Sequence, residues 1–228
     1  MEHFLVKLSI MLVPALLAVT VHEVSHGYAA EKLGDPTARL LGRLTLNPLR
    51  HLDPIGTLAV LIFGFGWARP VPVNFRNLRH PKRDMIWVAL CGPVANFALA
   101  LLSGLGLRGL TLLAAYIPAR NGLATNLMEP LNLMLAFSLY INIILAVFNL
   151  VPIPPLDGGR VLAGFLPHKQ AEMLGRIEPF GFLLIIALVF FTDAWQVVFG
   201  PIILHLVQIF AGHQIFWVDR AISFLFGT

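Results

Sequence analysis

Residues 4–30 read FLVKLSIMLVPALLAVTVHEVSHGYAA, and this stretch decides the fold. From Phe4 to Val21 only Lys7 is charged, which suits a helix entering a bilayer, where a span needs about 20 mostly apolar residues. Then His22, Glu23 and His26 arrive together in the pattern H-E-x-x-H. Helical positions four apart share a face, so the two imidazoles stand one turn apart with a glutamate beside them. That is the spacing of two metal ligands and a general base. Ionisable groups inside a membrane are costly, and a bound dication is a partner that offsets several at once. The bland alternative is a helix end at the membrane surface whose His and Glu are simply solvated. The stretch also resembles a leader peptide, but cleavage would discard or separate these residues, so the helix is read as retained.

The rest of the chain has the same character. Of 228 residues, 57% are hydrophobic and 12% charged, with a mean hydropathy of +0.80, whereas soluble domains carry roughly a quarter charged residues. No polar linker and no internal repeat divides residues 1–228, so one integral membrane domain is expected. The net charge of +4 does not point to nucleic acid, because the basic residues sit in short loops beside apolar runs, where they set membrane orientation. One cysteine, Cys91, excludes an intramolecular disulfide and a Cys-rich zinc site.

Apolar runs predict helices over residues 4–33, 84–107, 131–150, 179–192 and 196–217. The expected class is an all-α polytopic membrane protein with about five to six transmembrane helices. Residues 54–74, interrupted by Gly64, Gly66, Pro70 and Pro72, are expected to be re-entrant and partly extended, with the extension around Trp67 to Asn74. If the first helix runs from outside to inside, the basic residues from Lys32 to Arg83 fall inside, together with Arg160, Lys169, Arg176 and Arg220. Only Lys7, Arg108 and Arg120 fall outside.

A hydrolytic zinc site takes three protein ligands and keeps one position open. Asp157 is the leading candidate for the third ligand. It lies in N-L-V-P-I-P-P-L-D-G-G-R, residues 149–160, where prolines break the preceding helix and the glycines permit close backbone approach. By the charge topology it arrives on the same side as His22 and His26. His51 and Asp53 are the competing pair, although beside Pro54 they also read as turn-forming residues. An ordinary Pro-rich turn accounts for the Asp157 segment equally well on its own.

These segments resemble the site-2 protease family of intramembrane metalloproteases. The resemblance rests on H-E-V-S-H at residues 22–26, N-P-L-R-H-L-D-P-I-G-T at 47–57, G-W-A-R-P-V-P-V-N at 66–74, G-P-V-A-N at 92–96, and the Asn149 to Gly159 stretch. It covers roughly residues 15–165. It implies that His22, His26 and Asp157 bind one zinc ion and that Glu23 is the catalytic base. It also implies that Asn149 helps to hold the substrate or the oxyanion. The substrates would be transmembrane proteins, and the chain would be a compact member without a PDZ or nucleotide-sensing domain. A prokaryotic plasma membrane is expected, with the site nearer its cytoplasmic side.

Several further residues have a reading. Trp67 to Asn74 could pair with an unwound substrate strand. Asn96 is expected to hydrogen-bond between helices. His205 and His213 are expected to serve packing or the interface rather than a second metal. Two other function classes compete: a metal transporter using the same ligands, and a membrane-helix binding protein without proteolysis. Transporters of the first kind usually show repeated halves, and the second would not need Glu23 between its histidines.

Overall fold

The computed structural model describes residues 2–56, 58, 67–116 and 122–227. In order along the chain, the helices are α1 (Glu2–Lys32), the short α2 (Thr37–Leu40), α3 (Pro81–Ala114), α4 (Gly122–Asn149), α5 (Asp157–Phe165), α6 (His168–Ile177), α7 (Gly181–Phe191), α8 (Gly200–Ala211) and α9 (Ile215–Phe226). Helices α1, α3 and α4 pack on one another, with α8 and α9 against α4 and α5 against α3. The expected all-helical class holds. Among the described residues the only sheet-like pairing is one antiparallel bridge between Leu52 and Ala68.

Small side chains make this packing close. Ala18, Ala100, Ala136 and Ala146 are fully buried, and a Cβ on Gly104 would collide with the Phe210 carbonyl of α8. Without a hydrophobic drive between helices in lipid, such close backbone approach is what lets dispersion hold a bundle together. Large apolar side chains also line the outer faces: Leu101, Leu102 and Leu105 are 49%, 62% and 48% exposed. A soluble domain would bury such a row, so these faces belong against acyl chains. The protein is a multi-pass membrane protein.

Among the described residues four segments are long and apolar enough to cross a bilayer: Leu5–Lys32, Pro81–Ala114, Leu127–Asn149 and Trp195–Phe226. The run expected at 179–192 yields only the eleven residues of α7, about 16 Å of helix, which is short of a full span. The run expected at 196–217 is not straight either. Gly212 adopts φ +57°, a conformation that favours glycine, and the chain turns there between α8 and α9. Arg108 donates to the Phe210 carbonyl at 3.2 Å as α8 ends. Because of this turn, Arg220 pairs with Glu129 near the start of α4, and Lys7 lies over the Phe224 ring. Arg220 therefore lies at the end opposite the basic loops, not inside with them as the charge count suggested.

Of the expected re-entrant segment, residues 57 and 59–66 lie outside the described residues. Its second half does run without helix from Trp67 to Asn74. Arg69 N–H donates to the His51 carbonyl at 2.8 Å, and Arg43 donates to the carbonyls of Arg69 and Pro70 at 2.9 and 3.3 Å. Asn74 N–H donates to Asp35 at 2.7 Å. Asp35, fully buried at the end of α1, also accepts from Asn77 at 2.9 Å and from the Thr37 hydroxyl. The stretch is thus stapled across the end of α1 that carries the histidines.

Candidate metal centre

Helix α1 delivers His22 and His26 one turn apart, and their rings meet edge to face with centroids 4.6 Å apart. Asp157 enters from the first turn of α5, where Gly158 and Gly159 lie so close to the backbone of residues 150–154 that neither has room for a Cβ. All three side chains are buried, with 7%, 6% and 5% exposure. The Nε2 atoms of His22 and His26 are 3.0 Å apart, and Asp157 Oδ2 lies 3.1 and 3.2 Å from them. Among the described residues this is the one group of three or more His, Cys, Asp or Glu side chains that could hold a metal ion.

The protons at this cluster follow from the outer partners of the two rings. His26 Nδ1 lies 2.8 Å from the Val88 carbonyl, and His22 Nδ1 lies 2.6 Å from Asn96 Oδ1. Both partners only accept, so each Nδ1 carries the hydrogen and each neutral ring turns a bare Nε2 lone pair inward. Asp157 Oδ2 is likewise buried with no hydrogen-bond donor to meet it. Three lone-pair atoms, one of them a carboxylate oxygen, thus converge with no hydrogen between them, and a cation resolves that arrangement. Tetrahedral zinc with ligands at about 2.0–2.1 Å separates them by roughly 3.3 Å, within a few tenths of the spacing here. The donor set fits zinc.

A cavity of about 420 Å³ opens beside the cluster, lined among others by Glu23, Trp67, Val71, Asn149 and Arg160. Glu23 Oε2 accepts a hydrogen bond from Val71 N–H at 2.7 Å, which fixes the carboxylate at the cavity wall and ties it to the extended stretch. Asn149, at the last turn of α4, donates to the Leu145 carbonyl at 2.9 Å. That leaves its second N–H for a guest in the cavity.

All five candidate residues therefore meet at one cavity. The competing pair does not join them: His51 Nε2 donates to the Thr45 carbonyl at 2.8 Å, and Asp53 accepts from Gly56 N–H at 2.8 Å. His205 and His213 are exposed and belong to no metal-holding group. Asn96 bridges helices as expected, donating to the Ala18 carbonyl of α1 and to Asn142 of α4. Sequence reasoning missed its bond to His22, the backbone donor on Glu23, and Gly92, which faces both imidazoles. A Cβ on Gly92 would meet the Cε1 atoms of His22 and His26 at 2.6 Å. The signal was the spacing of Gly92 and Asn96, four apart on one helix face.

Comparison with known proteins agrees with this geometry. The model of peptidase family M50 matches residues 120–191. The protein called "Putative zinc metalloprotease YwhC" in Bacillus subtilis is 39% identical over 195 residues, covering 85% of each chain. Rip2 of Mycolicibacterium smegmatis, named in the same terms, is 30% identical over 76% of this chain and 63% of its own length. The zinc metalloprotease MJ0392 of Methanocaldococcus jannaschii is 24% identical over 72% of this chain and 37% of its own length. No solved structure matches. With the YwhC likeness spanning most of both chains, and bilayer-length helices around a zinc-type ligand set, the chain belongs to peptidase family M50, the site-2 protease family of membrane zinc metalloproteases.

Proposed function

We propose that the chain is an endopeptidase that cuts transmembrane protein substrates within or near their membrane-spanning segments, as in regulated intramembrane proteolysis. In this reading residues 1–228 act as one domain, in a prokaryotic plasma membrane, with the site towards the cytoplasm. His22, His26 and Asp157 hold one zinc ion, Glu23 is the general base, and Asn149 steadies the substrate carbonyl. The observation that carries the reading is the convergence of three buried lone-pair atoms within 3.2 Å on a cavity that Glu23 also lines.

Bound zinc supplies Lewis acidity, making water nucleophilic near neutral pH and polarising the scissile carbonyl. Glu23, held by Val71 N–H through one oxygen, takes the proton of the attacking water with the other and returns it to the departing amine. No covalent acyl-enzyme is formed. A substrate helix hides its peptide bonds in internal hydrogen bonding, so it must unwind locally before cleavage. The Trp67 to Asn74 stretch is the surface an unwound strand would meet. Pro70 and Pro72 have no N–H, and Val71 and Asn74 have committed theirs, so pairing there would rest largely on carbonyl acceptors of the stretch.

The test is zinc content and cleavage of a single-pass membrane protein by purified wild type, Glu23→Gln and Asp157→Ala in detergent. One zinc and cutting are expected in the wild type, zinc without cutting in Glu23→Gln, and loss of metal in Asp157→Ala. Cleavage at the wild-type rate by Glu23→Gln would sink the base assignment, and full zinc in Asp157→Ala would sink the ligand set.

A further inference from the structure

Asn96 is neither ligand nor base, yet it is completely buried beside the site and bonds to His22 at 2.6 Å. Its amide has one orientation that satisfies every neighbour. Nδ2 donates to the Ala18 carbonyl at 3.2 Å and to Asn142 Oδ1 at 2.7 Å. Asn142, also fully buried, is oriented in turn by donating from its own Nδ2 to the Ser138 carbonyl at 2.8 Å. Flipping Asn96 would set its oxygen against two acceptors and its NH₂ against a ring N–H, so Oδ1 stays towards His22.

This amide completes a pattern on α3. Val88, Gly92 and Asn96 are four residues apart and share a face. The Val88 carbonyl holds Nδ1 of His26, Gly92 leaves room for both rings, and Asn96 holds Nδ1 of His22. A metal-bound imidazole generally donates its other N–H to an acceptor that fixes tautomer and ring angle. Here one such acceptor is backbone and cannot be substituted away, but the other is a side chain. We propose that Asn96 is a positioning residue of the zinc centre: its carboxamide oxygen fixes His22 as an Nε2 ligand, and Asn142 fixes that carboxamide. The proposal rests on the zinc-ligand reading of His22.

The test compares zinc affinity, by competition with a chromophoric chelator, and the visible spectrum of the cobalt-substituted protein. Asn96→Leu keeps the branched shape and removes the acceptor. It is expected to lose about 10- to 100-fold in zinc affinity and to alter the cobalt spectrum. Equal affinity and identical spectra in wild type and Asn96→Leu would overturn the proposal alone, whereas a wild type that binds no zinc would overturn the ligand assignment beneath it. If Asn96→Leu does not fold, nitrogen NMR of zinc-loaded wild type carrying ¹⁵N-histidine decides. A protonated Nδ1 with metal on Nε2 of His22 supports the assignment, and metal on Nδ1 refutes it.

Discussion

Replacing Gly92 by alanine adds one methyl group, and the structure says where it goes. The new Cβ would stand 2.4 Å from His26 Nε2 and 2.6 Å from the Cε1 atoms of both His22 and His26, where ordinary contact begins at 3.4 Å. The rings must yield by about 1 Å, or α3 must retreat. Neither is cheap, because His26 is bonded to Val88 and His22 to Asn96 on that same helix. Overpacking of this kind costs about 1–3 kcal/mol. The effect on metal comes in addition, since ligand distances tolerate only about 0.2 Å. If one imidazole is pushed out of reach, zinc affinity should fall at least about 100-fold, equivalent to about 2.7 kcal/mol. The control is Gly109→Ala on the same helix, where a Cβ meets nothing within 4 Å. It should keep zinc and gain up to about 1 kcal/mol in helix propensity. Chelator competition and thermal unfolding in detergent, run on both variants, read the two effects separately. Wild-type zinc affinity in Gly92→Ala would refute the packing of α3 against the imidazoles.

Other outcomes follow from the same geometry. Stripping the metal with a chelator should abolish cleavage and lower the melting temperature, and zinc should restore both; at free zinc a thousandfold above Kd the stabilisation is about 4 kcal/mol. Asn149→Leu should lower kcat by about 100-fold, the scale of one oxyanion donor, with zinc content unchanged; a change confined to KM would count against that role. Asp35→Ala should cost about 2–3 kcal/mol by orphaning donors on Asn74, Thr37 and Asn77. Burial raises the Asp35 carboxyl pKa, but those donors outweigh it and leave it lowered. Its contribution is therefore complete above the unfolded value of about 3.9 and fades as pH falls below it. Melting curves of wild type and Asp35→Ala should converge at low pH, and a gap that widens on acidification would contradict the sign.

What could be read from the sequence was what is local. The pairing of His22 with His26 follows from helical spacing within five residues, and the break that presents Asp157 follows from Pro152, Pro154 and Pro155. The long apolar runs announced α1, α3 and α4 because twenty consecutive apolar residues have few other uses. The bend at Gly212 was hidden, since one glycine in an apolar run is ordinary and Arg108, which meets the chain there, lies on another helix. That bend is also why Arg220 was assigned to the wrong end. The partners of the two histidines were equally hidden, lying 62 and 74 residues away, as was the donor on Glu23, 48 residues away. Such contacts are set by how α3 and the extended stretch dock on α1, not by spacing within any one segment.

The division of labour between these contacts is informative. α3 holds the ring edges that face away from the cluster, and so controls the two proposed imidazole ligands. The extended stretch holds Glu23, and so controls the proposed base. Arg43 and Asp35 anchor that stretch on either side of Val71, which means that movement of residues 69–74 on meeting a substrate strand would be felt first at the Glu23 carboxylate, not at His22, His26 or Asp157. In the proposed mechanism, metal binding and base positioning are in this way carried by separate elements. Loosening the stretch through Arg43→Met should therefore depress turnover while leaving zinc affinity within about twofold, whereas substitutions on the α3 face should lower both. Equal losses of zinc from the two kinds of variant would show that the elements are not separable.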